Sequence, residues 1–393
     1  MKSVSYARQS DAENESMYLR VGVIGCGNIS DIYLKNSAFF KNVKYVACAD
    51  IKDDAAEKQA NQYGLRHDSV KGLLTASDID IVLNLTVPTA HYEVSSLAIA
   101  SGKHVYSEKP LSTSLEDGRA LLTTADKLGL RMGAAPDIIL GPSMQLAKSL
   151  VSEGEIGEVV TAVSSIMTRG MEHWHPNPAF FYQKGAGPVL DIGPYYIAAL
   201  TLLLGPVRTV RATGRIGSKE RVITAPGAAH GTTIQVETLT SVNALLTFCS
   251  GAEVVFMASW DVWGHGMRPI EIHGTRGSLR VPNPNWFDGT VEIHRDDKRE
   301  WESLDPTTSR MAEKNYSWFG GHYANYRGAG LADMARAVLD DRPHRCSGEF
   351  ALHTLAVLLS IVESAESGRI IELQDTCEIP APLTDTAARD LFI

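Results

Sequence analysis

From Tyr18 onward, short apolar runs alternate with longer segments whose apolar residues recur at helical spacing. Leu19–Ile24 and residues 44–49, 79–85, 104–106 and 131–134 are the strand-like runs. A segment opening near Asn28, Asp53–Tyr63, residues 90–100 and Leu115–Lys127 are the helical ones. Nearly continuous apolar strands separated by helices predict right-handed crossovers and a parallel sheet covered on both faces. After about residue 136 the pattern changes. A helix over 143–152 is followed by strand-like runs at 159–166, 207–214, 240–248, 252–259, 269–274, 278–281 and 291–294, interrupted by one helix over 189–204. Alternation and glycine-marked turns predict one open, mostly antiparallel sheet. Helices over 331–339 and 349–366 close the chain. In the second, Leu352, Leu355, Leu358, Leu359 and Val362 share a face. The expected organisation is a polar tail over 1–17, an α/β domain over 18–138 and an α+β domain over 139–393.

Length agrees with this division, because 393 residues exceed one ordinary core. Hydrophobic residues at 44% and charged residues at 21% are the balance of a globular chain able to bury large cores. A net charge of -9 argues against general affinity for nucleic acid or anionic membranes, so neither partner is expected. The five cysteines are scattered and form no C-x-x-C pair, which predicts no disulfide framework and fits a reducing compartment. No apolar segment follows a basic start, and no uninterrupted apolar run has spanning length. A cytoplasmic location is the expectation.

The chemistry begins where the first strand meets the first helix. Residues 21–30 read V-G-V-I-G-C-G-N-I-S, a G-x-G-x-x-S element of Gly25, Gly27 and Ser30. Gly25 permits a sharp turn, and Gly27 lets backbone approach a pyrophosphate. The helix opening at Asn28 and Ile29 offers free N–H groups to that anion, while Ser30 keeps helix and strand close. Taken alone the element also suits a plain structural turn; its place in a strand–helix–strand run favours a Rossmann dinucleotide-binding domain. Asp50, which ends the second strand, would accept hydrogen bonds from ribose hydroxyls and repel a 2′-phosphate. No arginine follows it, only Ile51 and Lys52, so NAD is favoured over NADP. A helix N-cap is the other role open to Asp50.

Two further segments sharpen the reading. Residues 106–110 read Y-S-E-K-P at the end of a parallel strand, where ligands collect in such sheets. Residues 185–195 read G-A-G-P-V-L-D-I-G-P-Y. With the glycine turn, Asp50 and the ending E-S-G-R-I-I-E-L, these motifs resemble the Gfo/Idh/MocA family of glucose–fructose oxidoreductases and inositol dehydrogenases, from about Tyr18 to the end. The resemblance implies a nicotinamide-dependent dehydrogenase acting on a secondary hydroxyl of a sugar, glycoside or cyclic polyol. It places Glu108 and Lys109 beside the cofactor and makes Lys109 and Asp191 catalytic. It puts Tyr195 where the family usually carries a histidine base. Thr86, Pro88 and His91 correspond to a stretch beside the nicotinamide, although His91 also fits a helix start with no ligand.

Oxidising a carbinol moves a hydride to nicotinamide while a base takes the hydroxyl proton. A free tyrosine titrates near about 10, and an adjacent ammonium favours its phenolate. Lys109 can also stabilise charge developing on the substrate oxygen, and Asp191 can orient a hydroxyl or the lysine. Tyr196 is expected only to pack. Asp137, at another strand end, and Trp174 and His175, in the aromatic loop 170–178, are substrate candidates, since indole faces stack on sugar rings. His322 and Arg327 enter from the loop 320–327; a capped loop is the plainer reading of that segment. His173-x-His175 lacks a third ligand, so no metal is expected. The absence of an arginine cluster suggests a neutral substrate, with ring oxidation at a pyranose carbon such as C3 preferred. Two other readings stay open: a redox-neutral, NAD-dependent cleavage of glycosides, and a non-catalytic NAD-binding sensor. A broad open sheet is an association hazard when exposed, so a homodimer or homotetramer is expected.

Overall fold

The computed structural model describes residues 18–306, 309–318 and 320–393. The predicted tail over 1–17 lies outside them. The first half is a six-stranded sheet, β1 (Leu19–Ile24), β2 (Val43–Ala49), β3 (Arg66–His67), β4 (Ile81–Asn84), β5 (His104–Ser107) and β6 (Met132–Ala134), in the order β3-β2-β1-β4-β5-β6 with every pair parallel. Helices α1 (Asn28–Asn36), α2 (Asp53–Tyr63), α3 (Val70–Thr75), α4 (His91–Ala100) and α5 (Leu115–Lys127) make the crossovers. The order reverses between β1 and β4, so the C-terminal ends of these two strands diverge into a crevice. Gly25 and Thr86 stand on its two sides.

After α6 (Pro142–Ser152), the second half is built on a nine-stranded sheet. Its strands are β7 (Val159–Met167), β8 (Val207–Arg215), β11 (Ser241–Phe248), β12 (Glu253–Ser259), β13 (Ile270–Gly274), β14 (Gly277–Val281), β15 (Val291–Arg295), β16 (Glu302–Leu304) and β19 (Ile371–Glu372). The order is β16-β15-β14-β13-β7-β12-β11-β8-β19, and β7–β12 is the parallel pair among antiparallel ones. Along β11 and β12 burial alternates residue by residue, so one face is core and the other faces outward. Two small hairpins stand apart: β9 (Glu220–Val222) with β10 (Thr233–Gln235), and β17 (Tyr316–Trp318) with β18 (Gly321–Tyr323).

The helix expected over 189–204 is in fact two: α7 (Pro188–Asp191) and α8 (Gly193–Leu204), separated at Ile192. Pro194 has no N–H to continue the ladder back to Leu190, so the helix must restart. The break sets Asp191 at the end of one short helix and Tyr195 in the first turn of the next.

The last third of the chain ties the two sheets together. Helix α9 (Ala329–Leu339) packs on β6, and α10 (Gly348–Ser367) lies against β8, α8, α5 and β6. Helix α10 has the length and composition to cross a membrane, but 72% of its most apolar window is buried inside this fold. Backbone bridges join Gly133 to Ser347 and Phe40 to Phe392. On α9, Asp333 is fully buried and holds Arg342 at 3.1 Å, the Arg345 guanidinium and the Arg345 N–H at 2.8 Å. Removing one member of such a cluster leaves buried charge uncompensated. Asp333→Ala should therefore lower unfolding stability by about 3 kcal/mol, read as a lower urea midpoint at unchanged m; a midpoint equal to that of the native protein would contradict this packing.

Candidate active site

The turn after β1 divides its labour between two glycines. Gly25 has φ +102, and a Cβ there would sit 2.5 Å from the Leu85 carbonyl carbon. The neighbouring strand end thus demands glycine. At Gly27 a Cβ would meet no atom within 4 Å. Nothing inside the protein fills that space, so the backbone there is open to a ligand. Helix α1 begins there with no side-chain cap, and Gly27 and Asn28 are exposed. Ile29 is half-buried against the core. Ser30 is fully buried, with its hydroxyl donating to the Gly27 carbonyl at 2.6 Å. It braces the turn from inside and presents no group to a cofactor, which corrects its place among the contact residues.

Asp50 accepts from the Cys26 N–H at 2.7 Å and from the Lys52 N–H at 2.8 Å. It fastens the glycine turn to the end of β2; α2 starts later and takes Lys52 as its N-cap, so Asp50 is not the cap. Ile51 beside it is 96% exposed. An apolar residue between two polar ones was the available sign of this surface, and the sequence reading passed over it. The uncapped helix start, the open face at Gly27, the carboxylate of Asp50 and the exposed Ile51 together fit a dinucleotide.

Across the crevice, Thr86 donates its N–H and hydroxyl to Asn84 Oδ1, and Val87 and Pro88 are exposed. His91 is fully buried, with Nδ1 2.6 Å from the Pro110 carbonyl and Nε2 3.0 Å from the Thr86 carbonyl. Burial lowers its pKa despite those carbonyls. It is a brace between two loops, not a cofactor contact. Glu108 is also buried: its carboxylate accepts from the Tyr33 hydroxyl at 2.8 Å and from the Lys109 N–H at 2.9 Å, so it acts behind the site.

Lys109 reaches from the end of β5 into the second half. Its Nζ donates to the Asp191 carbonyl at 2.7 Å and to Asp191 Oδ1 at 3.2 Å, and lies 5.3 Å from the centre of the Tyr195 ring. Burial works against the ammonium, but Asp191, Tyr195 and Glu108 outweigh it and hold its pKa above the usual lysine value. On the other side of Tyr195, Arg327 Nη2 donates to the phenol oxygen at 3.3 Å and to Asn285 Oδ1 at 3.1 Å, while Nη1 donates to Asn325 at 2.9 Å. Burial again opposes the charge, and Tyr195, Glu108 and Asp137 raise the pKa overall. Lys109, Asp191 and Tyr195, drawn from distant motifs, thus meet as one cluster, and Arg327 and Asn285 join it.

The remaining candidates separate. Asp137 is buried 1% exposed, and its Oδ2 accepts the N–H groups of Gly328 (2.8 Å) and Gly330 (3.2 Å) at the start of α9. It caps that helix and faces no substrate. Trp174 lines a cleft of about 660 Å³ bounded by the end of β7, the loop after β12 and the β17–β18 hairpin; Asn285, Ile192, Tyr196 and Trp318 share its walls. Tyr196 therefore does more than pack. His175 is outside that lining, between the rings of Trp174, Phe180 and Phe181. His322 is exposed and pairs with Ser317 at 3.0 Å, on the hairpin face opposite Tyr316 and Trp318. Both histidines are thus displaced from the substrate role. His173, weighed from the sequence only as a metal ligand with His175, and His265, which closes the aromatic stretch 260–265, do line the cleft. Among the described residues no group of three His, Cys, Asp or Glu is placed to hold a metal ion.

A family model for the "Oxidoreductase family, NAD-binding Rossmann fold" matches residues 19–135, and one for the "GFO/IDH/MocA C-terminal domain" matches 144–280. The chain belongs to the Gfo/Idh/MocA oxidoreductase family. Inositol 2-dehydrogenase of Rhizobium meliloti is 25% identical over 68% of this chain and 76% of its own. D-glucoside 3-dehydrogenase of Escherichia coli is 29% identical over 49% of this chain and 57% of its own. A solved levoglucosan dehydrogenase in complex with NADH and L-sorbose shares the fold, with a TM-score of 0.77 at 22% identity over 91% of this chain and 100% of that one. Within this family fold, the NAD-binding Rossmann half supplies the glycine turn, Asp50 and Lys109, and the second half supplies Asp191, Tyr195 and Arg327.

The two glycines separate fold from ligand. Gly25→Ala should cost at least about 2 kcal/mol of stability, from strained backbone and a clash with strand-end carbonyl. Gly27→Ala should keep the native Tm yet weaken NAD binding at least about tenfold by calorimetric titration; equal NAD affinity would show that this turn does not meet the cofactor. Asp137 gives a pH signature. Burial pushes its carboxyl up to about 6, against the opposing bonds from Gly330 and Gly328. A raised acid contributes stability that is complete below the unfolded value of about 4 and is lost as pH rises through the folded value. Asp137→Asn cannot ionise. Its stability relative to the native protein should rise by up to about 3 kcal/mol from about pH 4 to 7; a pH-independent difference in Tm would oppose this assignment.

Proposed function

We propose that the protein is an NAD-dependent dehydrogenase for a secondary ring hydroxyl of a neutral sugar, glycoside or cyclic polyol, with C3 of a pyranoside the preferred position. The observation that carries this reading is the contact of Lys109 Nζ with the backbone carbonyl and Oδ1 of Asp191 beside the Tyr195 ring. Inositol 2-dehydrogenase and D-glucoside 3-dehydrogenase support it by name, since each name specifies a hydroxyl-bearing ring position. The carboxylate of Asp50 disfavours the 2′-phosphate of NADP, and the exposed Ile51 offers an apolar surface to a base.

Bound NAD supplies the acceptor for the hydride that leaves the carbinol carbon. The protein's own groups handle the proton and the charge. Lys109 is held as an ammonium, so it serves as a donor to the substrate oxygen and stabilises negative charge developing there. Tyr195 takes the hydroxyl proton as a phenolate, its own phenol proton having passed to solvent, with the Arg327 guanidinium against its oxygen and Lys109 near its ring. Asp191 fixes Lys109 through its carbonyl and Oδ1, and its second carboxylate oxygen can accept from a neighbouring hydroxyl. Among the described residues the cleft walls hold no carboxylate and one arginine, Arg169, which suits an uncharged substrate. On the outward sheet face Leu245 and Val255 are 39% and 40% exposed, which supports assembly as a homodimer or homotetramer through that face.

The test supplies NAD with a panel of glycosides, free sugars and inositols and follows the absorbance of NADH. Turnover is expected with at least one ring polyol. Lys109→Ala and Tyr195→Phe should each lower kcat by about 10²–10⁴, the range for a positioned acid–base group, without unfolding the protein. Unchanged kcat in both variants would remove the mechanism, and no turnover across the panel would remove the substrate class.

A further inference from the structure

The cleft of about 660 Å³ is larger than a single ring requires. Pockets of about 300–1,000 Å³ take ligands of drug size. Met167, Met171, Ile192, Tyr196, Trp174 and Trp318 give it a mainly apolar surface, with polar side chains such as His173, His265, Asn283 and Asn285 set among them. An apolar ring finds contact surface on the indoles and methionines. The charged group of the lining, Arg169, is stacked on the Trp263 ring at 4.0 Å, so it adds a flat cationic edge without demanding an anion.

Two of the cleft's walls adjoin the reacting groups. Asn285 is one of its walls and at the same time accepts the Arg327 N–H that also reaches the Tyr195 hydroxyl. Ile192, the residue at the helix break between Asp191 and Tyr195, is another wall. At the far end Trp318 meets Trp174 edge to face, with ring centres 6.0 Å apart, and is 41% exposed. A ligand held at Lys109 and Tyr195 by its sugar would extend past Asn285 toward two indoles.

We infer that this cleft binds the apolar, preferably aromatic, aglycone of a neutral glycoside whose sugar ring lies at Lys109, Asp191 and Tyr195. The inference rests on the dehydrogenase reading above and narrows its substrate class. Two measurements on the full chain with NAD test it. The first compares kcat/KM for phenyl and methyl D-glucopyranosides of both anomers. The second follows quenching of tryptophan fluorescence by the same compounds, which needs no turnover. The phenyl glycoside of one anomer should exceed its methyl counterpart by at least about tenfold in kcat/KM, chiefly through KM, and should quench where the methyl compound does not. Trp318→Ala should collapse the phenyl-to-methyl ratio toward unity. Equal kcat/KM for phenyl and methyl compounds overturns the aglycone site while leaving the dehydrogenase reading intact. Selective quenching without oxidation of either supports the aglycone site and counts against the dehydrogenase reading. Neither quenching nor oxidation overturns both.

Discussion

The structure turns on a single reach: the Lys109 side chain leaves the end of a Rossmann strand and places its ammonium on both the carbonyl and the carboxylate of Asp191. That contact joins the cofactor half to the sheet half at the point where chemistry is possible. A cation this enclosed is costly unless it is met by opposite charge and directed acceptors. Asp191 meets it from the front, while Glu108 stands behind and is itself held by Tyr33. Arg327 repeats the logic on the other side of Tyr195, supported by Asn285 and Asn325. Two half-buried cations thus flank the one phenol of Tyr195.

The surrounding fold works to keep that cluster in register. Pro194 breaks the helix so that Asp191 and Tyr195 stand on separate short segments. Asp137 caps α9 immediately after Arg327 and so fixes where the guanidinium enters. Asp333 then anchors the far side of α9 to Arg342 and Arg345, and the chain continues into the bridge between Ser347 and Gly133. Residues that looked like substrate contacts, Asp137 above all, are parts of this support.

The legible portion of the sequence was the portion governed by local rules. Apolar strands, helix periods and the turn at Gly25 depend on neighbours in the chain, and the alternating strands and helices of the first half and the open sheet of the second follow from them. E-K-P and D-x-G-P-Y identified Lys109, Asp191 and Tyr195 because a motif compresses a three-dimensional arrangement into adjacent letters. What failed was pairing across distance. His91 is an internal brace because of carbonyls, that of Pro110 above all, that only the folded chain brings to it. His322 turns away from the cleft because a one-residue shift along a hairpin selects the face, and that hairpin has no strong pattern. Arg327 was visible as a residue of a loop near the cleft, but its contact with Tyr195 joins positions far apart in the chain. The helix break was readable in principle, since Pro194 lies inside the apolar run, and the expected single helix ignored it.

The central claim is that hydride leaves a sugar carbon beside Lys109 and Tyr195. Isotope transfer tests it most directly. A glycoside that the enzyme turns over is prepared with deuterium on its ring carbons and incubated with NAD and the full chain, and the isolated NADH is weighed by mass spectrometry. The account predicts NADH carrying one deuterium, formed at least about a hundredfold more slowly by Lys109→Ala. NADH that forms without deuterium, or labelled NADH from Lys109→Ala at the native rate, would contradict it.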